Sequence, residues 1–178
     1  MTHTIKFLMS AFPPLIITLT LDTPSQEYFT ALRNQYFPKH CNYLQAHLTL
    51  FHQLPSNNLL INETLQALAN RAAIQLEVDG IKSIGNGVVY TVVAGELLAL
   101  HKLMQQSFDS YLVAQDRQRL WPHITVQNKV TAFKAKQTLD ILSADFKPFN
   151  ITAIGFSTWL YLKGPWKHEQ DYLFKNIV

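Results

Sequence analysis

The chain has 178 residues, of which 48% are hydrophobic and 15% charged, as in a single ordinary globular domain. These values exclude a disordered, collagen-like or low-complexity protein. The single cysteine, Cys41, cannot form an internal disulfide, which favours a reducing, cytoplasmic compartment. The formal charge of +3 permits a small anionic ligand but is modest for a protein that coats long nucleic acid.

The first predicted element is a strand. The apolar run from Phe7 to Leu21 is shorter than the roughly 20 residues of a membrane span, and Pro13-Pro14 interrupts it, which argues against a secretory signal peptide. Its β-branched end, Ile16 to Leu21, predicts a strand. We therefore expect a soluble, cytoplasmic protein with no membrane attachment, and the sequence indicates no obligate protein partner.

Helices and strands are interspersed along the rest of the chain. Asn62 is predicted to cap the second helix, and Gly85-Asn86-Gly87 predicts a hairpin, since Gly and Asn tolerate the positive φ of a tight turn. The predicted helices cover 24–36, 62–73, 95–111 and 133–142. The strands after the first cover 46–54, 74–84, 88–93, 149–156, 158–163 and 172–175, and one further strand begins at His123. This pattern predicts an α+β fold with antiparallel pairing.

The order of elements repeats. Strand, helix, strand, helix from Leu15 to Ala73 is echoed from Val88 to Leu142. No Gly-, Ser- or Pro-rich linker separates the two halves. We therefore expect residues 1–178 to form one domain of two closely paired lobes.

Each half carries the same kind of tetrapeptide at its second strand, His47-Leu48-Thr49-Leu50 and His123-Ile124-Thr125-Val126. Alternate side chains of a strand share a face, so each strand presents an imidazole and a hydroxyl together. Two imidazoles can divide the roles of general base and general acid, and the threonine hydroxyls can bind phosphate oxygens. We expect all four side chains to converge on one cleft and to catalyse displacement at phosphorus.

Two other interpretations stay open at this stage. A single strand of this kind is more often structural than catalytic. However, only about 0.2 copies of the pattern His-apolar-Ser/Thr-apolar are expected by chance in this chain, and two are present. The chain could be a non-catalytic nucleotide- or RNA-binding module, or a carbohydrate- or protein-binding domain with fortuitous motifs. Replacing the histidines distinguishes an enzyme from a binding module, because the enzyme loses turnover and a binding module has no turnover to lose.

The two motifs, 76 residues apart, resemble those of the 2H phosphoesterase superfamily, especially its bacterial 2′-5′ RNA ligase-like (LigT-like) branch. The resemblance covers nearly the whole chain. It implies a bilobal α+β fold whose two pseudo-symmetric lobes, each with helices and a mainly antiparallel sheet, flank a central cleft. It also implies metal-independent, cofactor-free hydrolysis of 2′,3′-cyclic phosphates or 2′-5′ linkages on a small nucleotide or RNA end, with 2′-5′ ligation as the reverse reaction. His47 and His123 would be the acid/base pair, and Thr49 and Thr125 the phosphate ligands. Phe51-His52-Gln53 stands where many relatives have Phe-Leu-Gly.

Candidate substrate-binding residues lie around these motifs. Trp159, Tyr161 and Lys163 alternate on one predicted strand face and could contact a base and a phosphate, or form an ordinary exposed edge. Arg117 and Arg119 precede the second motif and could guide an anion or be solvated loop charges.

Neither a metal site nor a cofactor site is predicted. His52 follows His47 at an odd offset, which in a regular strand places it on the opposite face. His101 lies among leucines and is interpreted as a packed helical residue. No Cys/His cluster, Walker motif or dinucleotide-binding glycine pattern is present.

Overall fold

The computed structural model describes residues 12–175, and the predictions that reach residues 1–11 lie outside this part of the chain. The described chain forms one seven-stranded antiparallel sheet with four α-helices packed on it. The strands are β1 Leu15–Leu21, β2 Leu48–Leu54, β3 Ile74–Ser83, β4 Val88–Val93, β5 His123–Gln127, β6 Phe149–Tyr161 and β7 Trp166–Leu173. The helices are α1 Thr23–Tyr36, α2 Leu59–Leu68, α3 Gly95–Ser107 and α4 Ala132–Ser143.

The strand order shows the twofold pseudo-symmetry that the repeated pattern predicts. The order is β2-β1-β6-β3-β4-β5, and β7 pairs with the C-terminal half of β6. Reading inward from each edge, β2 corresponds to β5 and β1 to β4, so the two motif strands occupy equivalent positions. The α+β class and the antiparallel pairing are confirmed, and every strand pair in residues 12–175 is antiparallel.

The sheet curls so that its two edge strands approach each other. Although β2 and β5 are the outermost strands of the order, they contact one another, and α1 packs against β5. Strong curling follows from the right-handed twist of the strands and from the bulges in β1–β2 and β4–β5 pairing. The sheet therefore brings the two motifs together from positions 76 residues apart.

The hydrophobic core lies where the helices pack on the sheet and contains residues of both. The motif residues Leu48, Leu50, Ile124 and Val126 are at most 2% exposed, as the strand alternation predicts. His101 is confirmed as a packed helical residue, because it is buried, stacks on Phe51 and lies 3.0 Å from the Leu50 carbonyl oxygen through Nε2. Among residues 12–175, no helix has the length and apolar character to cross a bilayer.

Several predicted boundaries are wrong. Asn58, not Asn62, caps α2 by accepting the Ile61 amide proton, while Asn62 instead accepts a hydrogen bond from the Tyr172 hydroxyl. The two strands predicted at 149–156 and 158–163 are one strand, β6, because β1 pairs with it without interruption from Gly155 to Leu160, across the predicted break.

The last strand is also longer than predicted. It begins at Trp166, directly after a turn closed by the hydrogen bond from the Leu162 amide to the Pro165 carbonyl. Lys163, predicted on the strand, lies in that turn with φ of 60°.

Candidate active site

The two motif histidines are held in the same way. His47 immediately precedes β2, and His123 is the first residue of β5. Each Nδ1 lies 2.8 Å from the carbonyl oxygen two residues upstream, that of Gln45 for His47 and of Trp121 for His123. Because a carbonyl only accepts, both Nδ1 atoms carry the proton and donate it. In the neutral ring, Nε2 is then the nitrogen with the free lone pair, so Nε2 is the atom of each ring that is available to accept a proton.

An indole packs against each imidazole. The centroid of the Trp166 ring lies 4.7 Å from that of His47, and the Trp121 centroid lies 4.6 Å from that of His123. The two tryptophans come from different elements, β7 and the loop before β5. Together with the Nδ1 hydrogen bonds, these contacts fix the orientation of both rings.

His47 is held in its neutral form at physiological pH. Burial lowers the pKa of His47 to about 4, the hydrogen bond to the Gln45 carbonyl opposes this, and the nearby charges of Arg33, His123 and His52 lower it further. At neutral pH the ring can therefore accept a proton through Nε2.

The threonines lie on the same strand face as the histidines. Thr49 and Thr125 are half-buried, whereas the aliphatic residues on either side of each are buried in the core. Thr49 pairs with Thr18 across the β1–β2 ladder, and Thr125 pairs with Val89 across β4–β5. Both hydroxyls are thus carried by strand residues that are paired with a neighbouring strand.

Arg33 of α1 connects the two motif strands. Its Nη1 donates to the Thr125 carbonyl at 2.9 Å, and its Nε donates to Asn42 Oδ1 and to the Leu44 carbonyl, just before β2. The guanidinium lies 3.9 Å from the centroid of the Phe37 ring and is buried, and burial lowers its pKa to about 10. It stays protonated at neutral pH and adds positive charge beside the cleft.

His52 lies on the same face as Thr49, contrary to the sequence prediction. The β1–β2 register skips Leu50, since Ile17 pairs with Phe51 and Thr18 with Thr49. This bulge places both Leu50 and Phe51 in the core and reverses the alternation beyond them. The side chain of His52 is consequently exposed beside the cleft, where its charge affects His47.

Two cavities adjoin the histidines. The cavity beside His47, of about 470 Å³, is lined by aromatic and polar groups that include Trp159, Trp166, His168 and Tyr43. The cavity beside His123 and Thr49, of about 320 Å³, is lined by His52, His101, Gln115, Asp116, Gln118, Arg119, Leu120 and Trp121 among others. Within residues 12–175, no three His, Cys, Asp or Glu side chains are grouped so that they could hold a metal ion.

The four predicted substrate-binding residues separate into two groups. Trp159 lines the cavity beside His47, and Arg119 lines the cavity beside His123. Tyr161 and Lys163 line neither, because the strand ends at Tyr161 and the chain turns away. Arg117 forms an exposed ion pair with Asp109, as expected for a solvated loop charge.

Sequence reasoning missed other residues of the site. Trp166 and His168 alternate on β7 and share a face. The alternation is visible in the sequence, but the predicted last strand begins only at Tyr172. His168 Nε2 lies 2.9 Å from Asp171 Oδ1 in the cavity beside His47. No sequence signal distinguishes Arg33 or Asp116, because each is a lone charged residue whose partners are distant in the chain.

Comparison with known proteins gives the family and the fold. The family model described as the 2′-5′ RNA ligase superfamily matches residues 21–165. The fold is similar to that of Escherichia coli LigT complexed with 3′-AMP, at 14% identity and a TM-score of 0.58, covering 93% of this chain and 99% of that one. TT0787 of Thermus thermophilus has 14% identity and a TM-score of 0.59, covering 93% of this chain and 100% of that one. A structure described only as a phosphoesterase has 15% identity and a TM-score of 0.58, with 93% and 99% coverage. No curated protein matches the chain by sequence.

Proposed function

The chain belongs to the 2′-5′ RNA ligase superfamily and is of the 2H phosphoesterase, LigT-like type, and we propose that it is a metal-independent phosphoesterase acting on 2′,3′-cyclic phosphates or 2′-5′ linked ribonucleotides. The observation that carries this proposal is the equivalent placement of the two histidines, each with Nδ1 bonded to a carbonyl and Nε2 free for proton transfer. The single cysteine, Cys41, fits a cytoplasmic setting.

His47 is the general base in this proposal. Its pKa of about 4 keeps Nε2 unprotonated at neutral pH. For a cyclic phosphate, Nε2 of His47 takes a proton from water as the water oxygen bonds to phosphorus. The bond from phosphorus to one ribose oxygen breaks, and that oxygen receives a proton from Nε2 of His123. The product is a nucleoside monophosphate, and a second proton exchange with solvent restores both rings.

The same groups account for 2′-5′ linkages. The neighbouring ribose hydroxyl replaces water as the nucleophile, the 5′ oxygen leaves, and a cyclic phosphate forms. In reverse, a 5′ hydroxyl opens the cyclic phosphate and joins two RNA ends. The hydroxyls of Thr49 and Thr125 bind the non-bridging oxygens and stabilise the charge that develops on them.

The cavity beside His47 provides a site for the nucleoside. Trp159, Trp166 and His168 offer aromatic faces, and stacking on aromatic rings holds a base with little sequence preference. Thr20 and Ser157, whose hydroxyls lie 2.7 Å apart in the same cavity, offer polar groups to the base or ribose.

The test compares histidine variants on a panel of 2′,3′-cyclic nucleotides and 2′-5′ oligonucleotides, with the product position read by phosphorus NMR. His47→Gln and His123→Gln should each lower kcat by about 10²- to 10⁴-fold while nucleotide binding, measured by calorimetry, persists. His40→Gln is the matched control, because His40 is exposed and lines neither cavity.

Two results would contradict the proposal. Turnover in the double histidine variant would end the acid/base assignment, and activity that disappears with EDTA and returns with Mn²⁺ or Zn²⁺ would indicate a metal-dependent enzyme. If the wild-type protein binds nucleotides and turns over no member of the panel, the chain is instead a binding module.

A further inference from the structure

The cavity beside His123 contains a third histidine, which the two-histidine mechanism does not use. The bulge at Leu50 places the exposed ring of His52 in this cavity, on the same side as Thr49. Nδ1 of His52 lies 3.1 Å from Asp116 Oδ1, so the ring is held with Nε2 directed away from the carboxylate. A ring held in this way can present one N–H to a ligand when it is protonated.

Asp116 is a structural anchor and not a free negative charge. It is 3% exposed, and its two oxygens accept the amide protons of His52 and Gln53 at 2.9 Å in addition to the His52 ring. Burial opposes ionisation of Asp116, but these hydrogen bonds outweigh it and lower its pKa. The carboxylate therefore fastens the loop before β5 to the edge of β2, and its charge is satisfied within the protein.

The same loop is held at a second point. The side-chain amide of Gln105 donates to the carbonyls of Asp116 and Gln118, at 2.8 and 2.9 Å. Arg119 follows directly and lines the cavity, and it takes part in none of the ion pairs formed within residues 12–175. A positioned loop thus carries an exposed guanidinium next to the catalytic histidine.

The charges and lining of this cavity fit an anion. Among the residues that the structure describes, Asp116 is the one acidic residue lining it, and its oxygens are occupied. Arg119 offers N–H donors, as does the His52 ring when it is protonated, and Gln115 and Gln118 offer amides. Arginine forms charge-assisted hydrogen bonds with phosphate that are about twice as strong as neutral ones. The volume of about 320 Å³ lies at the lower end of ligand pockets, with room for a phosphate and part of its sugar.

We propose that this cavity is a second phosphate subsite, so that the preferred substrate carries another phosphate one nucleotide away from the scissile one. The inference rests on the proposed function, since the subsite is defined relative to the phosphate held between His47 and His123. The second phosphate is either a terminal 5′-phosphate on the same nucleotide or the internucleotide phosphate of an RNA end. Mononucleotides without it occupy only the cavity beside His47.

The experiment compares kcat/KM for three substrates: adenosine 2′,3′-cyclic phosphate, its 5′-phosphorylated form, and the dinucleotide ApA ending in a 2′,3′-cyclic phosphate without a 5′-phosphate. The wild-type protein should prefer at least one of the two larger substrates by about tenfold or more. Arg119→Gln and His52→Gln should each move toward one the ratio of kcat/KM for the preferred larger substrate to kcat/KM for adenosine 2′,3′-cyclic phosphate. Arg117→Gln is the matched control, and its ratio should equal that of the wild type, because Arg117 is engaged with Asp109.

The ratio within one preparation does not depend on the fraction of folded protein, so a destabilised variant still gives a valid result. A gain with the 5′-phosphorylated nucleotide identifies a terminal phosphate as the ligand, and a gain with the dinucleotide alone identifies an internucleotide phosphate. Equal kcat/KM on all three substrates, or a preference unchanged in both variants, overturns the subsite. No turnover of any of them contradicts the proposed function instead.

Discussion

Acidification is a direct test of His47, because the structure lowers its pKa from 6.5 to about 4. Activity should survive well below the ordinary titration range of histidine. At pH 5 a base with a pKa of about 4 is ~90% neutral, whereas one with a pKa of 6.5 is ~3% neutral. The acidic limb of kcat/KM on a cyclic phosphate should therefore lie near pH 4.

The same shift has a consequence for stability. In the unfolded chain His47 binds a proton at its ordinary pKa of 6.5, whereas in the folded chain it binds one only near pH 4. Because the unfolded state binds more protons between these two pKa values, lowering the pH through this range favours unfolding. The stability contributed by neutral His47 is fully present above pH 6.5. About 2 kcal/mol of it is lost by pH 5 and about 3 kcal/mol by pH 4. His47→Gln has no such group and should lose correspondingly less stability over this range.

Both measurements have a defined contrary result. Denaturant unfolding of the wild type and of His47→Gln at pH 7.5 and pH 5 gives the stability difference, and NMR titration of the His47 ring gives its pKa directly. A ring titrating near 6.5, with an acidic limb of activity at the same pH, would show that burial does not hold His47 neutral and would remove the reason for assigning it as the base.

Four further substitutions test the supports of the site and of the sheet. Arg33→Met should lower kcat/KM by about 10- to 100-fold, since the link to the Thr125 carbonyl is lost. The same variant should also move the acidic limb of kcat/KM to higher pH, because the positive charge of Arg33, which the variant lacks, lowers the pKa of His47. An unmoved limb would contradict this electrostatic role. Thr49→Val and Thr125→Val should each lower kcat/KM by roughly tenfold, because each removes one hydrogen bond to the phosphate, of about 1.5 kcal/mol. Wild-type rates in both variants would exclude these threonines as phosphate ligands. Gly87→Ala should destabilise the protein by about 2 kcal/mol or more, because its Cβ would overlap the Gln127 carbonyl. Gly95→Ala, whose Cβ meets open space, is the control for thermal unfolding.

The sequence by itself determined the fold class and the position of the motif side chains. Strict alternation of His47, Leu48, Thr49 and Leu50 separates the polar face from the core face, and two such strands in repeated halves specify a symmetric antiparallel arrangement. These features depend on local periodicity and on chain order, which a single sequence contains. The family resemblance carried by the same residues is confirmed by the family model and by the fold comparison.

Only the tertiary structure decided which other residues surround the motifs. The bulge at Leu50 reverses the alternation and moves His52 to the polar face, and its position depends on pairing with β1, not on the residues of β2 alone. Asp116 and Arg33 reach the site through contacts 64 and 92 residues away in the chain. Such contacts leave no period in the sequence, because they form only where the curled sheet and the packing of α1 bring distant segments together.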